Sequence, residues 1–241
     1  MKTERIERVR AALRAQGLTQ MIVCDPKSVW YLTGVAVEPY ERLLALYLPT
    51  DGEPVLFLNR LFNVPEPPCR TVWHTDTDKP VAQIAEVVDA GRLLGIDKEW
   101  PAKFLIPLME THPGMQVVLS SDCVDDCRAC KDAEEQALMR EASRINDAVN
   151  EAAKHYIKAG MTEREVAEFI DAQFRAHGCE GPSFTTIVSF GANAADPHHE
   201  PDDTVLKEGD CVLFDMGCVK SRYRSDMTRT WFCGQPTEKQ A

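Results

Sequence analysis

No apolar run in this 241-residue chain approaches the ~18–20 residues that a helix needs to cross a bilayer, so a membrane-spanning helix is not expected. The first segment, MKTERIERVRAALRAQG, lacks the apolar stretch of a secretory signal and reads as an amphipathic helix. Positive charge is scarce: 27 basic residues stand against 38 acidic ones, a formal net charge of −11. That balance disfavours nucleic acid and anionic membrane as partners, since both select basic surfaces. No basic patch with interleaved aromatics occurs. Trp30, Trp73, Trp100 and Trp231 are scattered, so no stacking platform follows. Internal repeats and low-complexity tracts are also missing. The expected address is the cytoplasm.

Hydrophobic residues make up 44% and charged residues 27%, the texture of a soluble globular protein long enough for two modest domains. Nine cysteines are many for such a chain, and in the cytoplasm they are expected as reduced thiols. Cys123, Cys127 and Cys130 cluster at spacings reminiscent of zinc. A closed site needs a fourth ligand, and none lies nearby, so they read as small residues around an interdomain linker. Cys211, Cys218 and Cys233 read as strand core residues.

Short apolar runs bounded by Pro, Gly, Asp or Asn (QMIVCD, RLLALYLP, PVLFLN, TVWHT, RLLGID, MQVVLSSD) read as strands. SVWYLTG reads as a short helix or turn ending at Gly34, and PVAQIAEVVDAG and Ala102–Met109 read as helices. Strands alternating with helices predict an α/β domain with a mixed sheet over residues 1–125. A polar, acidic linker runs from Ser120 to Asp132. The second half, 126–241, opens with a long helix over Asp132–Ala159, whose Asp132 and Glu135 form a capping-box pattern. A second helix starts at Thr162, with Glu165 three residues on, and ends at His177–Gly178. The strand-like SFTTIVSFG, the loop ANAADPHHEPDDT and an apolar hairpin follow, which makes this half α+β.

Chemistry concentrates in that hairpin, CVLFDMGCVKSRYRSDMTRTWF. Aspartate is disfavoured inside strands, yet Asp215 and Asp226 sit eleven residues apart on its two apolar arms. A turn centred on Lys220 and Ser221 would set Asp215 directly opposite Asp226, with Cβ atoms about 4.5–5.5 Å apart. Like charges so placed call for a cation between them, and hard oxygen ligands suit a catalytic divalent ion. His198 and His199 lie in PHHEP, a loop stiffened by Pro197 and Pro201, where an imidazole can exchange a proton near neutral pH or hold a substrate carbonyl or carboxylate. Thr228 and Arg229, beside Asp226, could orient a metal carboxylate or substrate. Thr230 reads only as a strand residue. His74 and His112 look like strand-end and turn residues, and His155 and His177 suit helix C-termini.

The run SFTTIVSFGANAADPHHEP followed by LKEGDCVLFDMGCVKSRYRSDMTRTWFCG resembles the pita-bread metallopeptidases, specifically the Xaa-Pro peptidases (prolidases and aminopeptidase P). His198, then Asp215 seventeen residues on, then Asp226 eleven further, matches the family order, as does the S-D-x-T-R-T tail. CDPKSVWYLTG resembles the creatinase/prolidase N-terminal domain. The resemblance implies hydrolysis of the peptide bond before proline by metal-activated water, with Asp215 and Asp226 as two of five metal ligands. It implies two divalent ions, Mn2+ or Co2+ with Zn2+ as the alternative, and His198 assisting at the substrate, with His199 as fallback. Short proline-containing peptides and a homodimer are the implied partners. The family's remaining ligands, one His and two Glu, lie downstream of this hairpin, so the resemblance implies a pita-bread domain incomplete at its C-terminus by roughly a hundred residues. Two other outcomes are a creatinase-like C–N hydrolase, against which both retained aspartates argue, and a non-catalytic binding or assembly module.

Overall fold

Met21, Ile22 and Val23 are all fully buried, because their strand is covered on both faces. In the computed structural model, which describes residues 1–238, they belong to the first of two units, Met1–Cys130 and Lys131–Ala241. The first unit runs α1 (Thr3–Ala15), β1 (Gln20–Val23), α2 (Pro26–Thr33), β2 (Ala45–Pro49), β3 (Val55–Asn59), β4 (Arg70–His74), α3 (Pro80–Ala85), β5 (Leu94–Ile96), α4 (Ala102–Thr111), β6 (Val117–Leu119) and α5 (Asp122–Ala129). Its strands form one mixed sheet in the order β4-β3-β2-β1-β5-β6. Alternation along each strand sorts the core into two layers. Met21, Val23, Leu46 and Leu48 pack with Ile6, Val9 and Leu13 of α1 and Val29 and Leu32 of α2. Ile22, Ala45, Tyr47 and Phe57 pack with Ile84 of α3 and Leu108 of α4.

The stretch expected as a linker is in fact α5. Cys123, Val124 and Cys127 recur at helical spacing and are buried in the first core layer, a pattern masked in the sequence by the acids around them. Cys130 is exposed, and all nine cysteines are free. α2 ends as expected at Gly34, whose φ of +80° is the left-handed cap that glycine tolerates.

The second unit comprises α6 (Ala133–Tyr156), α7 (Glu163–Ala176), β7 (Gly181–Pro182), β8 (Ile187–Phe190), a 3₁₀ turn (Gly191–Ala195), β9 (Cys211–Met216), β10 (Cys218–Lys220), β11 (Tyr223–Arg224) and β12 (Met227–Phe232). Both long helices begin in capping boxes, Asp132 with Glu135 and Thr162 with Glu165. Ala142, Val149 and Ala153 of α6 and Val166, Ile170 and Phe174 of α7 bury the sheet residues Val188, Phe190, Val212, Phe214 and Met216. Each of the three phenylalanines, fully buried, stabilises the unit by about 1.5–3 kcal/mol.

The hairpin register differs from the expected one. Ser221 and Arg222 occupy the turn, both at positive φ (48° and 68°), so Lys220 pairs with Tyr223 and Val219 with Arg224. Asp215 therefore faces Thr228, not Asp226. A two-residue turn with both central φ positive matches the twist of the flanking strands, which is why it prevails even without glycine. The ladder also breaks into two three-stranded sheets, β12-β9-β8 and β11-β10-β7. The break falls at Gly217 and Ser225–Asp226, so Asp226 is not a strand residue.

Candidate active site

On β9 the inward residues Val212, Phe214 and Met216 alternate with the half-buried Cys211, Leu213 and Asp215. Asp215 thus projects from the face of the sheet opposite the helical core. Its lateral neighbours on that face are Ile187 of β8 and Thr228 of β12. Its Oδ1 is buried and has no hydrogen-bond partner among the described residues. Buried carboxylate oxygens are costly unless paired, and such groups are usually satisfied. An acceptor held in this state is what an oxygen-ligated cation requires, so the residue fits a divalent-metal site. Ser189, paired with Leu213 on the same face, also has a buried, unpartnered Oγ.

Asp226 is exposed, immediately before β12 and two residues from Thr228. Shifting a two-residue turn by one position slides the pairing by two residues, and side chains alternate with a period of two. The corrected register therefore keeps position 226 on the Asp215 side of the ribbon by count. It also sets Asp226 against Gly217, where the sheet breaks. Gly217 cannot carry a side chain: a Cβ there would lie 2.0 Å from the Ser225 carbonyl oxygen and 2.3 Å from Ser183 Oγ. Ser183 Oγ donates to that carbonyl at 2.8 Å, and the Cys218 N–H donates to Ser225 Oγ at 3.0 Å. These bonds fix the backbone from which Asp226 projects.

Thr228 and Arg229, adjacent in sequence, separate in space. Thr228 shares the Asp215 face. Arg229 pairs with Phe214 on the other face, and its Nη2 lies 4.0 Å from Asp147 of α6.

His198 is exposed in the loop that leaves β8, where its N–H donates to Asp196 Oδ1 at 2.9 Å. His199 points elsewhere. Its Nε2 lies 2.6 Å from Oε2 of Glu163, which is completely buried in the first turn of α7. A carboxylate only accepts, so Nε2 carries the proton. The same carboxylate accepts from the Phe190 N–H at 2.7 Å, Asn193 Nδ2 at 3.0 Å and the Asp202 N–H at 3.1 Å. Glu163, His199 and Asp202 offer ligand atoms within 4.8 Å of one another. The Glu163 oxygens are already saturated by four donors, however, and Asp202 Oδ1 accepts from Thr204 N–H at 2.7 Å. This cluster is a hydrogen-bonded network, not a vacant ligand set. The Asp202 carboxyl is held below its ordinary range by its bonds to Thr204. Sequence reading missed Glu163: an acid in the first turn of a helix is ordinary dipole chemistry, and its partners lie 27 to 39 residues away.

Residues 137–241 match the family described as metallopeptidase family M24, and residues 5–130 match the creatinase/prolidase N-terminal domain. The chain is 33% identical over 244 residues to an uncharacterized peptidase of Staphylococcus aureus, and 30% identical over 239 residues to one of Staphylococcus epidermidis. Each alignment covers 98% of this chain and 68% of the relative. Among solved structures, the prolidase of Thermococcus sibiricus superposes with a TM-score of 0.88 at 29% identity, over 100% of this chain and 68% of that one. A dipeptidase of Mycobacterium ulcerans gives 0.88 at 30%, over 99% and 66%. With both halves matched in this order, the chain belongs to metallopeptidase family M24 and carries a creatinase/prolidase-type N-terminal domain.

Proposed function

We propose that this peptidase hydrolyses the bond preceding proline in short peptides and that Asp215 and Asp226 are two of its metal ligands. The observation that carries the reading is the buried Oδ1 of Asp215, unpartnered among the described residues, with Thr228 directly opposite and Asp226 two residues before Thr228. Similarity to a prolidase and a dipeptidase supports the substrate class. A pair of divalent ions, Mn2+ or Co2+ in this reading, supplies Lewis-acid activation of water and of the scissile carbonyl when bound.

The chain's own residues do the rest. Asp215, fixed in the centre of a three-stranded sheet, presents a carboxylate whose position costs little reorganisation. Asp226 brings a second carboxylate from the sheet break. Thr228 offers a hydroxyl beside Asp215, suited to orienting a ligand oxygen. His198, free at the tip of a stiff loop, contacts the substrate carbonyl or carboxylate. Arg229, on the other face, takes no part in holding the metal. A homodimer and a cytoplasmic address complete the reading; among the described residues, no helix is long and apolar enough to cross a membrane.

The test is release of free proline from an Xaa-Pro dipeptide by the Mn2+-loaded protein, set against a dipeptide without proline. Turnover confined to the Xaa-Pro substrate and lost in Asp226→Asn is the expected result. Equal cleavage of both dipeptides would remove the proline specificity, and unchanged turnover in Asp226→Asn would remove the metal role.

A further inference from the structure

The loop carrying His198 is long and has little regular structure, yet its backbone is tied down at one buried point. Glu163 is 0% exposed and accepts hydrogen bonds from Phe190 where the loop begins, Asn193 in its 3₁₀ turn, His199 beside the tip and Asp202 on the return. The helix end that presents Glu163 is itself stitched to the returning segment of the loop. Glu163 N–H donates to Thr204 O at 3.2 Å, Arg164 N–H to Asp202 O at 3.1 Å, and Thr162 bridges to Val205. Asn193 Nδ2 reaches Thr204 Oγ1 at 3.1 Å, which closes the network.

We propose that Glu163 is a positioning residue for the peptidase reaction: with His199 it forms a buried latch that holds the 191–205 loop and so sets where His198 meets the substrate. The inference rests on the proposed reaction for its catalytic consequence, but the latch stands on geometry alone. Four donors converge on one acceptor-only group, and the lone pairs of a carboxylate match them in number. An isosteric amide would turn an NH2 toward two of those donors and leave them unpaired. Charge-assisted bonds in a water-free setting are about twice as strong as neutral ones, so the latch outweighs the backbone and hydroxyl bonds that also hold the return of the loop. His199, adjacent to His198, transmits the constraint directly. On this assignment, the first histidine of PHHEP faces the substrate and the second faces the protein.

The experiment is amide hydrogen exchange and histidine side-chain NMR on the full chain, comparing wild type with Glu163→Gln and with the milder His199→Leu, which has no donor to give the carboxylate. Exchange at Phe190 and Asp202 should accelerate by about tenfold to a hundredfold in Glu163→Gln, with Val188 and Phe214 little changed. The His198 imidazole resonance should shift or broaden in both variants. If Glu163→Gln does not fold, His199→Leu alone carries the test, because it removes one donor and leaves the carboxylate in place. Unchanged exchange and an unmoved His198 signal would overturn the latch.

The kinetic arm uses an Xaa-Pro dipeptide with Mn2+. Glu163→Gln should lower kcat/KM about tenfold, chiefly through KM, and the double variant Glu163→Gln/His198→Ala should be no worse than His198→Ala alone, the signature of one residue acting through another. Additive losses would overturn the positioning role. If wild type releases no proline, the proposed reaction fails by itself, and the exchange and NMR data still decide the latch.

Discussion

Asp215 and Thr228 stand directly opposite each other across the β9–β12 pair, and the carboxylate that faces this hydroxyl has a buried oxygen with no partner. Replacing the acid with an amide of the same shape removes the desolvated charge. Asp215→Asn is therefore expected to raise the stability of the metal-free protein by about 1 kcal/mol while weakening Mn2+ binding by more than about tenfold. Urea unfolding in the presence of chelator and a Mn2+ titration measure the two effects. A destabilised, metal-competent variant would contradict both.

Gly217 is required by space, since its missing Cβ would collide with the Ser225 carbonyl. Gly217→Ala should cost about 2–3 kcal/mol through overpacking and displace Asp226 with the strand break. Gly160, at φ +95° with open space around it, supplies the control. Gly160→Ala should cost about 1 kcal/mol from backbone strain alone. Thermal denaturation of the pair separates steric from conformational cost.

The turn at Ser221 and Arg222 holds two non-glycine residues at positive φ. Asn-Gly is the preferred pair for such a turn, so Ser221→Asn with Arg222→Gly should stabilise the protein by about 0.5–1 kcal/mol. A loss of stability would count against this register.

The Cys123 thiol is pushed up from 9.0 to about 11 by burial, then by Cys127 and the nearby Asp122 and Asp126. A group whose folded value is raised gives stability that is complete below its unfolded value and is lost as pH rises through the folded one. The urea midpoint should thus fall between about pH 9 and pH 11, and fall less steeply in Cys123→Ala.

What could be read from the sequence was mostly local. Thr162 with Glu165 and Asp132 with Glu135 announce their helices within four residues, and both caps form. Alternating strand residues such as Val212, Phe214 and Met216 reveal their buried face, because burial follows a period of two. The turn was not legible, since neither Lys220-Ser221 nor Ser221-Arg222 contains the glycine or asparagine that marks positive φ. Because the slip was an even number of residues, position 226 stays on the Asp215 side of the ribbon by count, although the ladder itself breaks there. Helix α5 was hidden because its three buried residues sit among aspartates. The Glu163 network was out of reach, since all four of its donors come from distant chain and two are backbone groups without identity in the sequence.

The lone acceptor on Asp215 couples folding to the ionic medium. A species that binds only the native state deepens its free-energy well by about 1.4 kcal/mol for each decade of concentration above its dissociation constant. Melting temperature followed against added Mn2+, Co2+, Zn2+ and Mg2+ therefore becomes a gauge of ion preference that needs no peptide and no turnover, and the same curve in Asp215→Asn should be displaced by more than about one decade to higher concentration.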